Sequence, residues 1–158
     1  MRVGIVVLCV FAAIWGAAGV LVGHMPGAWT ALPIVVSAAV LAFALRSPGS
    51  RVKPGPHVGR LVGIWSGVEG AVMFVAANVL IQTGHREALM PAFAIIVGLH
   101  FLPLARGIPM RLYYRTGAAL IAVGLVALLA PVNVPLWVGI SAAIILWVSA
   151  IALARGAA

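Results

Sequence analysis

The sequence predicts an all-α integral membrane protein with six transmembrane helices. Three observations carry this. The chain of 158 residues is 65% hydrophobic and 8% charged, with a mean hydropathy of +1.23. A soluble domain carries about 25% charged residues, so lipid must solvate most of this surface. The apolar residues also gather into six runs, each close to the ~20 residues that cross a hydrocarbon core. Finally, the alternating segments of about 10 residues that build a membrane β-barrel are absent from the pattern.

The first run, 3–22, follows a short basic start. That pattern also describes a secretory signal, but the run is long enough to span and is expected to remain as the first helix. His24-Met25-Pro26-Gly27 then breaks the chain. The second run, 29–45, has Pro33 near its start, where a missing amide hydrogen matters least. Residues 46–60, RSPGSRVKPGPHVGR, hold three prolines and three glycines with Arg46, Arg51, Lys53 and Arg60. An irregular basic loop is expected there. The third run is 61–81. The fourth is 88–104, with Pro91 near its entry and Pro103 near its exit. A short basic turn, 106–111, leads to the fifth run, 112–130. The uncharged turn Pro131-Val132-Asn133-Val134-Pro135 leads to the sixth, 136–154.

Orientation follows from the basic residues. Arg2, Arg46, Arg51, Lys53, Arg60, Arg106, Arg111, Arg115 and Arg155 fall on one side, and Arg86 alone on the other. Basic loops stay cytoplasmic, so both termini are expected inside, in a bacterial plasma (inner) membrane. The preference for Arg over Lys and the abundance of Ala, Gly and Val fit a GC-rich bacterial genome.

The whole chain, 1–158, reads as one transmembrane domain with a degenerate internal repeat. LAFALR at 41–46, FLPLAR at 101–106 and IALAR at 151–155 end the even-numbered helices alike. Trp15 with Gly19 corresponds to Trp65 with Gly67 and Gly70. Three helical hairpins are expected, 1–46, 59–106 and 112–155, arranged about an axis along the membrane normal.

The net charge of +8 does not indicate nucleic acid. The cations sit in short loops between spans, where they meet the lipid bilayer and its anionic head groups on the cytoplasmic side. The single cysteine, Cys9, rules out an intrachain disulfide and reads as a small packing residue. No nucleotide, phosphate-loop or nucleophile-elbow motif occurs. The only lysine lies in a loop, which excludes a retinal Schiff base, and a single span histidine excludes a bis-histidine haem. His24 and His85 lack a third ligand, so no metal and no cofactor is expected. A homo-oligomer is compatible with the chain.

Chemistry concentrates in the third and fourth helices. Glu69 lies mid-helix, about 13 Å along the axis from Arg60 at 1.5 Å per residue. A charge at that depth costs about 2.5–3.5 kcal/mol on insertion scales, so Glu69 needs a partner. In an antiparallel hairpin His100 lies at similar depth, and a Glu–His pair can hold and pass a proton. Trp65 and Ser66 share the Glu69 face and offer donors. Gly63 and Gly67 are spaced for close approach by a neighbouring helix. Asn78 points away and is expected to bond across to another helix. Tyr113, Tyr114, Trp29 and Trp137 lie at helix ends, where aromatic belts form. Arg115, beside Tyr113 and Tyr114, is placed to hold an anionic headgroup or substrate.

The expected role is therefore transport or conduction of a proton, ion or small solute through a Glu69–His100 site lined by Trp65, Ser66 and Asn78. The rivals are a non-catalytic scaffold or accessory subunit, and a lipid-modifying membrane enzyme. Topology is checked by labelling single cysteines, in a Cys9→Ala background, in intact cells. A cysteine at position 85 should react with an impermeant reagent and one at position 53 should not; the reverse overturns the orientation.

Overall fold

The computed structural model describes residues 2–47, 56–108, 110–129 and 134–156. They form α1 (Arg2–Val22), α2 (Ala31–Arg46), α3 (Pro56–Gln82), α4 (Leu89–Gly107), α5 (Arg111–Leu129) and α6 (Val134–Ala154). Among the described residues there is no strand. All six helices are long and apolar enough to cross a membrane. Helix is what such sequences must adopt in hydrocarbon, because each backbone N–H and C=O then finds its partner within the segment. Large apolar side chains point outward, Phe74 at 70% exposure and Leu129 at 87% among them. That is the surface of a protein solvated by lipid.

Several boundaries differ from expectation. α3 begins at Pro56, so His57–Arg60 are helical and not part of the loop. Proline suits a first helical position, whose amide has no intrahelical acceptor. Residues 48–55, with Arg51 and Lys53, lie outside the described residues, as do 130, the expected end of the fifth run, and 131–133 of the uncharged turn. α4 runs on to Gly107 and carries Pro103 inside it.

The helices divide into two compact units, Met1–Lys53 with Pro135–Ala158, and Pro54–Val134. The first holds α1, α2 and α6; the second holds α3, α4 and α5. The expected third hairpin, 112–155, therefore does not form a unit of its own: α5 packs on α4, and α6 packs on α1. Helix approach explains this pairing. A Cβ on Gly19 would lie 2.8 Å from the Gly139 Cα, and one on Gly98 would lie 2.7 Å from the Gly117 carbonyl oxygen. Only glycine permits such contact, and close backbone approach is a main source of helix association in lipid. By contrast, Gly63, Gly67 and Gly70 on α3 have nothing within 4 Å of a Cβ. The close approach expected at Gly63 and Gly67 is made instead at Gly19, Gly98, Gly117 and Gly139.

Two connections share one device. At the end of α1, His24 N–H bonds the Leu21 carbonyl and Met25 N–H bonds the Val20 carbonyl. At the end of α3, Gly84 N–H bonds the Ile81 carbonyl and His85 N–H bonds the Leu80 carbonyl. Both are Schellman caps with a left-handed residue, His24 at φ 57° and Gly84 at φ 82°. A 3₁₀ turn follows each, Gly27–Thr30 and Arg86–Ala88. The next helix then carries proline at its third residue, Pro33 or Pro91. Counted from these caps, Trp15 lies nine residues before His24, whereas Trp65 lies nineteen before Gly84. The shared turn thus sets Trp15 against Val75, not Trp65.

The glycine geometry predicts opposite outcomes for one substitution. Gly98→Ala and Gly139→Ala should each destabilise by about 1–3 kcal/mol, the range for overpacking. Gly63→Ala and Gly67→Ala should stabilise slightly, by up to about 1 kcal/mol of helix propensity. Unfolding in mixed micelles measures both; equal effects at all four sites would refute the assignment.

Candidate functional site

Among its described side chains α3 has none fully buried, yet it is the helix that carries the mid-span carboxylate. Its inner stripe, Val58, Leu61, Trp65, Glu69, Met73, Ala76 and Leu80, is half-buried against α4 at helical spacing. Contacts that climb α3 descend α4: Leu61 fills the space over Gly107, and Glu69 meets His100. The two helices are antiparallel, which is why a short turn sufficed to bring these residues to one depth.

His100, the first candidate partner of Glu69 by depth, lies beside it. His100 Nδ1 lies 3.5 Å from Glu69 Oε2 and 3.2 Å from the Trp65 carbonyl oxygen. A carbonyl oxygen can only accept, so Nδ1 carries the hydrogen and donates it to Trp65, with Glu69 as a second, longer electrostatic neighbour. Trp65 and Glu69 are one turn apart on α3, so a single imidazole edge spans both. In the neutral ring Nε2 is left as the acceptor. The side chains are 11% (His100) and 14% (Glu69) exposed, sheltered but not sealed. The edge of Phe101 stands against the imidazole, with centroids 6.1 Å apart.

The other expected site residues separate. Trp65 contributes its backbone carbonyl to the pair, a role its indole donor did not foretell. Ser66 is exposed on a neighbouring face of α3. Asn78 is also exposed, and its Nδ2 donates to the Phe74 carbonyl of its own helix at 2.8 Å. It does not bridge helices: four residues is the reach of a side-chain amide to a local carbonyl. Tyr113 turns inward onto Phe101, centroids 5.8 Å apart, while Tyr114 and Arg115 are exposed. The three do not make a single surface. Trp29 and Trp137 are exposed near helix starts, as aromatic-belt residues are.

The sequence reading missed a polar contact in the first unit, where Trp147 Nε1 donates to the buried Ser37 hydroxyl at 2.8 Å. Both residues were visible as hydrogen-bonding groups within spans; their pairing across α2 and α6 was not. In the same unit the Arg155 guanidinium sits 5.9 Å over the Phe43 ring. On the α3–α4 turn His85 Nδ1 lies 3.2 Å from Glu87 Oε1, fully in the open. Among the described residues no three of His, Cys, Asp and Glu gather as metal ligands.

No protein-family model, curated protein or solved structure matches this chain. The reading of the site therefore rests on its geometry.

A double-mutant cycle with Glu69→Leu and His100→Leu should return a coupling near the average for intramembrane hydrogen bonds, about 0.6 kcal/mol and at most about 1.7. Unfolding free energies of the four proteins give the number, and a coupling of zero would show that proximity here carries no energy.

Proposed function

We propose that this protein conducts or transports a proton, ion or small solute across the bacterial inner membrane, with Glu69 and His100 as its titratable pair. The observation that carries the reading is the pairing itself. Of the two acidic residues in the chain, one is placed mid-span and faces a histidine on the next helix. Intramembrane ionisable residues mark ion and proton paths far more often than packing alone would produce them. The imidazole keeps Nε2 free of the Glu69–Trp65 contacts, so one ring has a side toward the carboxylate and a side for a second proton partner. The orientation belonging to this reading is both termini cytoplasmic, from the nine-to-one distribution of basic residues. Arg115 and Tyr114, exposed at the basic end of α5, would contact anionic head groups there.

A second reading, a scaffold or accessory subunit, is favoured by one specific feature. α3 lacks the glycine approaches that hold α4 to α5, so the His100 contact with Trp65 and Glu69 has a tethering role to fill. A lipid-modifying enzyme is a third reading, favoured by no specific observation. The matching caps after α1 and α3 support descent of the first two hairpins from one repeated unit, in a register different from the tryptophan correspondence.

Glu69→Gln separates the readings, because it keeps shape and hydrogen bonding and removes the titratable group. In liposomes with an entrapped pH dye and an imposed potassium diffusion potential, the folded variant should lose pH-dependent flux by tenfold or more. Undiminished flux in the variant would overturn the role of Glu69. Absence of flux in both proteins, with Glu69→Leu destabilised and Glu69→Gln stable, would favour the scaffold.

A further inference from the structure

A groove of about 250 Å³ opens at the basic end of the α3–α4 hairpin, lined by His57, Val58, Arg60, Leu61, Ile64 and Gly107. We infer that it holds the phosphate of one anionic phospholipid, with an acyl chain lying along α3. His57, Arg60, Leu61 and Ile64 recur at i, i+3, i+4 and i+7, which puts two cationic-capable groups and two apolar ones on one face in that order. The same face continues as Val68, Val72, Val75 and Val79, all exposed. An anionic head over a hydrocarbon chain has this polarity.

Depth agrees. Nine residues separate Arg60 from Glu69, about 13 Å along the helix axis. With Glu69 near mid-membrane, Arg60 reaches the edge of a ~30 Å hydrocarbon core, where lipid phosphates lie.

Charge complementarity selects the occupant. The chain has two acidic side chains; Glu69 faces His100, and Glu87 sits on the turn at the opposite end of the hairpin beside His85. Neither side chain reaches Arg60, which leaves its guanidinium without an acidic side-chain partner among the described residues. A guanidinium recognises phosphate with two parallel hydrogen bonds. Arg106 is exposed at the end of α4 and adds to the same field. A zwitterionic headgroup would bring its own cation into this rim. Gly107 shapes the floor: Leu61 packs into the space its missing side chain leaves, drawing the start of α3 onto the end of α4. The site does not involve the Glu69–His100 pair and stands whether or not the protein transports anything.

The test is native mass spectrometry of the full-length protein in detergent, titrated with phosphatidylglycerol or phosphatidylcholine of equal chain length. Phosphatidylglycerol should bind about tenfold more tightly. His57→Gln with Arg60→Gln should remove that preference, and Arg60→Lys should keep part of it. Arg155→Gln, in the other unit, should leave it unchanged. Ile64→Asn should weaken phosphatidylglycerol although it touches no charge, because it interrupts the acyl track. Inorganic phosphate at millimolar concentration should not displace the lipid. Equal binding of the two lipids, or unchanged preference in a double variant that elutes and melts like the parent, overturns the proposal. Displacement by inorganic phosphate with no effect of Ile64→Asn also overturns it, leaving a free-anion site.

Discussion

The packing of this protein depends on how closely helix backbones can approach where water offers no drive. Lipid tails are as apolar as leucine, so helices gain little by hiding leucine from them, and association rests on contact and hydrogen bonding. Gly19 against Gly139, and Gly98 against Gly117, bring main chains to distances at which a single Cβ would collide. These approaches fix which helices belong together: α6 with α1, and α5 with α4.

α3 shows what happens without that device. Its glycines face open space, none of its described side chains is fully buried, and its half-buried stripe meets α4 with a leucine over Gly107 and an imidazole spanning one helical turn. The polar pair therefore has a structural consequence whatever its chemistry: it ties the least-packed helix of its unit to the best-packed one. Tethering and proton handling are compatible in one contact. A group that both holds a helix and exchanges a proton couples protonation to helix position, the kind of two-state element that ion-coupled proteins require.

The polar surface divides along similar lines. Among the described residues at one end of the second unit every charged side chain is basic, and at the other end His85 and Glu87 stand side by side. Positive charge without acidic partners favours anionic surroundings, such as lipid head groups would supply.

The sequence by itself determined the all-helical class, the number of helices and the similar depth of Glu69 and His100, while their contact came from the structure. Run length and hydropathy are local properties, and a short turn between two spans leaves antiparallel pairing as the only close arrangement, so depth could be counted residue by residue. It also marked the polar residues, but for Asn78 and Tyr113 not their partners. Asn78 satisfied itself on its own helix, which needs no neighbour, and Tyr113 chose Phe101 through packing. Only the tertiary structure decided which glycines matter, that α5 and α6 part company, and that Trp65 serves through its carbonyl. Each of these depends on which helix faces which, a relation between residues distant in the chain. The spacing of small residues recurs on nearly every helix and cannot say which of them will meet a neighbour.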